Sequence, residues 1–266
     1  MNYQNNINTY ANLTAYNADN TKDYPNVSYI QATDEVKMYE YDPEYVVCKY
    51  NVTSTESATT LLYNSNGLNK MYIDGVQQQS VVTSYQFSTT GEHIVKYGLT
   101  NTTRFSYGGN QFNDVTALTE ISIPNTVTII GNTVFMNCSG LTKVKWSENC
   151  TSIGNNIFNG CTSLTTFIIL NSVTSIGNYA FYDCSGLTSV TIGSGVTSIG
   201  SSCFRFSSNL SSVTVLATTP PILGDSTVFN NTNNYPIYVP YTSVNAYKAA
   251  SGWSYYASRI QAIPTT

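Results

Sequence analysis

The chain has 266 residues, 41% of them hydrophobic, with a formal net charge of −4 and a pI near 4.9. That is enough apolar material for one large or two modest packed cores, while the acidic balance argues against nucleic acid or an anionic membrane as partner, since both need a basic patch. Charged residues make up only 10%, so Asn, Ser, Thr and Tyr must supply most of the surface polarity, and no apolar run of roughly 18 residues is present to span a bilayer.

Residues 1–43 are expected to form an extended N-terminal arm. Eight asparagines fall in the first 26 residues, and aliphatics are sparse (Ile7, Leu13, Val27, Ile30, Val36), too few for an independent core. Tyr3, Tyr10, Tyr16, Tyr24 and Tyr29 are costly to leave in water and point to burial against a neighbour. The expectation is an assembly arm ordered by other protein subunits, either copies of this chain or other virion proteins. The opening MNYQNNINTYANLTAYN has neither a basic n-region nor an apolar h-region, so it does not read as a secretory signal, and export by another route such as lysis is expected. DEVKMYEYDPE (34–44) reads as a solvated acidic linker. DNTKD (19–23) lacks the glycine and terminal glutamate of a calcium loop.

Residues 44–100 are expected to form a small β-domain. YVVCKYNV, TTLLY, NKMYIDGVQ, SVVTSYQF and EHIVKYGL are strand-like and separated by turn residues, and Asp74-Gly75 is a tight-turn signal. A small sandwich or open sheet is predicted, with its last strand running into the segment that starts near residue 101.

Residues 101–234 repeat with a period of 23. Four copies align without a gap from Leu118, Leu141, Leu164 and Leu187; a fifth starts at Leu210 and gains two residues before Phe229, and a degenerate copy with Gly108 and Phe112 precedes them. Stacked, the copies form columns: Ile121, Val144, Phe167, Val190, Val213; then Ile123, Trp146, Ile169, Ile192, Val215; then Ile130, Ile153, Ile176, Ile199; then Phe135, Phe158, Phe181, Phe204. The alternation in L-x-x-V-x-I puts two apolar residues on one face of a strand. One copy cannot bury that face alone, but stacked copies make a continuous core. A glycine column (Gly131, Gly154, Gly177, Gly200) marks a turn needing positive φ or close backbone approach.

The pattern LTSVTI…VTSIG…AF..CSG resembles the BspA-type leucine-rich repeat of bacterial surface proteins. The tail YPIYVPYTSVNAYKAASGWSYYASRIQAI (235–263) resembles the cap that closes such arrays, with a strand PIYVP, an N-cap at Thr242 or Ser243, a short helix with Val244 and Tyr247 on one side, and Trp253 as a lid. The resemblance implies adhesion or binding rather than catalysis. The fold expected is therefore mainly β: a leucine-rich-repeat solenoid of about five 23-residue coils with a C-terminal cap (235–266), preceded by the small sheet domain and the arm.

Nothing in the chain assembles a reaction centre. Cys138, Cys161 and Cys184 share a column with Ser207; Cys150 replaces a valine, Cys203 an alanine, and Cys48 lies in an apolar strand. The spacing lacks the close pairs of metal sites, and the six are expected to be small, reduced core thiols. His93 is the only histidine and no G-x-S-x-G is present, which argues against a hydrolase triad. The Asn-x-Ser/Thr sequons are what an Asn/Thr-rich chain contains by chance. No enzyme activity, cofactor or metal is expected.

The candidate binding face is the set of outward strand positions: Lys143 and Lys145, Thr166 and Ile168, Ser189 and Thr191, Ser212 and Thr214, with Glu120 and Ser122 at one end. Such a shallow, weakly charged sheet suits hydrogen bonds to sugar hydroxyls or packing against a protein. The first functional reading is a non-enzymatic structural or attachment protein of a phage particle, a fibre or decoration protein located in the virion. The alternative is a bacterial cell-surface or secreted adhesin that binds a host-surface protein or glycan.

Overall fold

Alternation builds the N-terminal sheet. In β1 (Tyr45–Val52) the side chains of Val46, Cys48, Tyr50 and Val52 are buried on one face. The computed structural model describes residues 42, 44–105 and 109–264; the arm residues Tyr3, Tyr10, Tyr16, Tyr24 and Tyr29 lie outside the described residues. After β1 come β2 (Thr59–Thr60), β3 (Leu68–Ile73), β4 (Val76–Gln77), β5 (Ser84–Tyr85) and β6 (Gly91–Leu99). β6 pairs antiparallel with β1 along its whole length and with β3 on its other side. β3 and β4 form the hairpin that Asp74-Gly75 predicts, both turn residues having positive φ (48° and 83°). Tyr50 donates a hydrogen bond to the carbonyl of Leu61 (2.7 Å), and its hydroxyl lies 3.0 Å from that of Tyr97, so two buried phenols are satisfied internally. TTLLY and SVVTSYQF are strand only where β2 meets β5.

The chain passes from β6 into the repeats, and the first strand adds a pairing to them: β1 runs antiparallel to β8 (Leu118–Ser122) across a bulge at Lys49/Tyr50. β6 cannot play that part, because both of its edges are already taken by β1 and β3.

The repeats wind into a parallel solenoid of about seven turns, so the chain is mainly β. Between β7 (Arg104–Phe105) and the last strand, long and short strands alternate in sequence. β8, β10 (Lys143–Lys145), β12 (Thr166–Ile169), β14 (Ser189–Ile192) and β16 (Ser212–Val215) lie on one side. β9 (Ile129–Ile130), β11 (Ser152–Ile153), β13 (Ser175–Ile176), β15 (Ser198–Ile199) and β17 (Ile222–Leu223) lie on another. The leucine, isoleucine and phenylalanine columns are buried throughout. The rings of Phe112, Phe135, Phe158, Phe181, Phe204 and Phe229 stack in series at 5.3–5.7 Å. Next to that stack runs a thiol ladder. Cys138, Cys161 and Cys184 donate to the carbonyls of Phe112, Phe135 and Phe158 (2.8, 3.1 and 3.0 Å), and Ser207 donates to Phe181 in the same way (2.9 Å). A small side chain with one donor is what this column requires.

The glycine column answers to close approach, not to positive φ. A Cβ on Gly177 would sit 2.6 Å from the backbone nitrogen of Asn155, and one on Gly200 2.4 Å from that of Asn178. The positive φ falls instead on two other columns. One is Asn110, Thr133, Asn156, Tyr179 and Ser202; the other is Asp114, Asn137, Gly160, Asp183 and Phe206. A non-glycine residue in this left-handed region costs about 1–2 kcal/mol, least for Asn and Asp.

The cap adds rungs as well as a lid. β18 (Ile237–Val239) pairs parallel with β16, and β19 (Ile260–Ala262) with β18. Between them lies a 3₁₀ turn (Tyr241–Ser243), α1 (Val244–Ala249) and a second 3₁₀ turn (Trp253–Tyr256). Ser243 is the N-cap by position, but its side chain makes no capping bond. Trp253 closes the phenylalanine stack at 5.9 Å from Phe229 and donates to the Pro221 carbonyl (2.7 Å). Tyr247 donates to Ala217 (2.8 Å).

Candidate functional site

Six of the eight candidate binding residues come together on one surface. In the five-stranded parallel sheet β12-β14-β16-β18-β19, Thr166 faces Ser189 and Ser189 faces Ser212; Ile168 faces Thr191 and Thr191 faces Thr214. Parallel pairing in strict register puts side chains of one column on one face, neighbouring rungs about 4.8 Å apart. The rows extend beyond the sequence expectation: Thr214 faces Tyr238, and Tyr238 faces Gln261. Alternation in PIYVP is the signal for Tyr238, which the reading of that stretch as cap alone passes over.

Position in the coil decides which hydroxyls are available. Thr188 and Ser211, just before the strands, donate to the carbonyls of Thr165 and Thr188 one coil back (2.9 and 3.0 Å). The outward hydroxyls of Thr166, Ser189, Thr191, Ser212 and Thr214 belong to the next positions, and their direction is away from the ladder. Ile168, 41% exposed, is the apolar member of the face. The arrangement offers neutral hydroxyls around one aliphatic anchor, with no charged side chain at the outward positions of β12, β14 and β16.

Lys143 and Lys145 are not part of that sheet, and here the expectation of one continuous face is corrected. They sit on β10, the edge of the separate six-stranded sheet β10-β8-β1-β6-β3-β4. The ladder breaks between β10 and β12 beside Trp146, an indole in the column that Ile123, Ile169, Ile192 and Val215 fill elsewhere. The lysines face Glu120 and Ser122. Lys143 lies 3.8 Å from Glu120, which also pairs with the buried Lys49 (3.3 Å), itself 3.3 Å from Glu92. Burial disfavours the charge on Lys49, but Glu120 and Glu92 outweigh it and hold its pKa above the usual value. On Lys145 burial prevails over Glu148 and the pKa is lowered.

The other chemistry-bearing residues are structural. His93 is buried with Nδ1 2.7 Å from Asp74 and Nε2 3.0 Å from the Thr89 carbonyl, and its ring lies on Phe87. This ties the β3–β4 turn to β6. All six cysteines are buried and none forms a disulfide. Burial pushes all their thiols up, Cys150 to about 11, which leaves them unreactive as nucleophiles. Among the described residues, no group of three His, Cys, Asp or Glu side chains is placed to hold a metal ion, and no helix is long and apolar enough to cross a membrane.

Residues 106–235 match the family model described as BspA type leucine rich repeat region, in six copies, so the degenerate copy around Phe112 counts as a full repeat. Among solved structures, a leucine rich cell surface protein from Faecalibacterium prausnitzii A2-165 is 30% identical over 42% of this chain and 29% of its own, with a TM-score of 0.41. A leucine-rich repeat protein from Bacteroides ovatus ATCC 8483 is 20% identical over 70% of this chain and 58% of its own, with a TM-score of 0.38. The chain thus spans less than two thirds of either. No curated protein matches.

Proposed function

We propose that this chain, whose residues 106–235 match the BspA-type leucine-rich-repeat family model, is a non-enzymatic binding module that engages a host-surface protein or glycan from a bacterial cell surface. The observation that carries the proposal is the register of the outward rows. Thr166, Ser189 and Ser212, and Ile168, Thr191 and Thr214, form a flat grid whose core side is fully used by the solenoid. The surface setting is the one that this repeat family implies. Lys143 and Lys145, on the neighbouring sheet edge, would act as a charged rim that steers approach more than it holds the ligand. The virion reading draws its support from the composition of the arm, residues 1–43, and from the absence of a secretory-signal pattern in it, and nothing among the described residues adds to it.

The test is surface plasmon resonance of the purified chain over immobilised host-surface glycoproteins and glycans, comparing wild type with Ile168→Asp/Thr191→Lys. Both substitutions are on the solvent side, so the fold is expected to persist. Loss of binding at unchanged melting temperature supports the assignment. Equal binding by both proteins contradicts it.

A further inference from the structure

At the turn edge of the solenoid, away from the strand face, the chain departs from its own repeat in a way that folding does not require. The two left-handed columns carry Asn, Asp, Thr, Ser or Gly in most coils, the residues that this backbone tolerates best, but they carry Tyr179 (φ 55°) and Phe206 (φ 65°) in adjacent coils. A large ring gains nothing from that backbone conformation. Local strain held at such positions marks sites where the side chain has a use.

The two rings are brought together by Tyr182. It meets Tyr179 edge to face at 5.6 Å and Phe206 at 5.2 Å. The Arg205 guanidinium lies over Phe206, 4.8 Å from its centroid, and the exposed Asp183 follows Tyr182 on the same turn. Tyr179 is 40% exposed. These rings stand outside the phenylalanine stack, which is complete without them.

We propose that this ledge is a carbohydrate-binding site that takes the apolar face of a neutral pyranose. The C–H face of such a sugar stacks on an aromatic ring, and its hydroxyls need both donors and acceptors close by, which Arg205 and Asp183 supply. Cation and carboxylate are balanced here, which selects a neutral sugar over an acidic one. The ledge comprises five side chains, a footprint that one or two sugar rings can cover. The site is separate from the strand face proposed above and stands or falls independently of it.

The repeat itself supplies the decisive variant. Asn156 occupies the column of Tyr179, and Asn137 that of Phe206, so Tyr179→Asn/Phe206→Asn restores residues that the backbone prefers. Saturation-transfer NMR with N-acetyllactosamine, mannotriose, cellotetraose and 3′-sialyllactose is run on wild type, on this double variant and on Ile168→Asp. The expected result is saturation of ring C–H protons of at least one neutral saccharide by wild type and by Ile168→Asp. Affinity should fall about tenfold or more in the double variant, with a melting temperature equal to or above that of wild type. The proposal is overturned if none of the four binds wild type, if only 3′-sialyllactose does, if the double variant binds as well as wild type, or if its melting temperature falls, since the rings would then be packing residues.

Discussion

Replacing Cys161 separates the two properties that the thiol column combines, a small volume and a single donor. Its sulfur donates to the Phe135 carbonyl at 3.1 Å, and that carbonyl also accepts the Cys138 backbone N–H at 3.2 Å. Cys161→Ala removes the first bond and leaves the second. The carbonyl is then half satisfied rather than orphaned, so the hydrogen-bond loss is about 0.5–1.5 kcal/mol. The missing sulfur leaves a small void between coils held apart by the phenylalanine stack, and that raises the total to about 1–2 kcal/mol. Cys161→Ser keeps the donor, as Ser207 does naturally at 2.9 Å from the Phe181 carbonyl, and is expected to cost less than the alanine. Cys161→Val fills the volume without a donor and should cost at least as much as alanine. Urea unfolding monitored by tryptophan fluorescence ranks the three, provided that the m-value is unchanged. An alanine variant as stable as wild type, or a serine variant weaker than alanine, would refute the idea that the column is selected for its donor.

Phe158 is fully buried and touches Phe135, Phe181, Phe167 and Trp146, so Phe158→Ala is expected to cost about 3–5 kcal/mol in the same assay. Gly177→Ala drives a Cβ to 2.6 Å from a backbone nitrogen that cannot swing aside; a loss of about 1–3 kcal/mol is expected, and a neutral result would contradict the close-approach account of the glycine column. Burial raises the Asp225 pKa, but donors from Thr227, Ser201 and Ser202 outweigh it and hold the value below the usual 3.8. Its contribution is therefore fully present above the usual value and lost as pH falls from there through the lowered folded-state value, so melting temperature measured from about pH 5 down to pH 2 should drop less steeply in Asp225→Asn than in wild type. Ellman titration should find the six thiols silent in native protein at neutral pH and all six reactive in denaturant, because each is buried; fast native reaction would place at least one of them outside the core.

The solenoid was readable because its signal is repeated. Each apolar column recurs every 23 residues, and a pattern that appears five times leaves little room for another fold. Where the signal is single, local reading misses partners distant in sequence. That β1 joins the array through β8 depends on a pairing between residues some 70 apart, and no feature of YVVCKYNV specifies it. The repeat pattern runs through Val144 and Phe167 alike, so the separation of Lys143 and Lys145 from the sheet of Thr166 and Ile168 needs the packed coil. The glycine column shows a further limit. Sequence marks the position as special but cannot tell positive φ from close approach, and the residues that do adopt positive φ include Tyr179 and Phe206, which no propensity rule would select.

The central claim is that the outward rows of the parallel sheet are the surface that meets the partner. Amide hydrogen exchange tests it directly, on the chain alone and in complex with whichever immobilised glycoprotein or glycan binds it. Ladder amides are protected in both states, so the informative signal comes from the turns that flank the rows and from the fraying ends of the strands. The account predicts added protection centred on 164–170, 187–193 and 210–216, and little change in the sheet formed by β3, β4 and β6. Protection confined to residues 44–100, or to the cap beyond Tyr241, with these three segments unchanged, would contradict it.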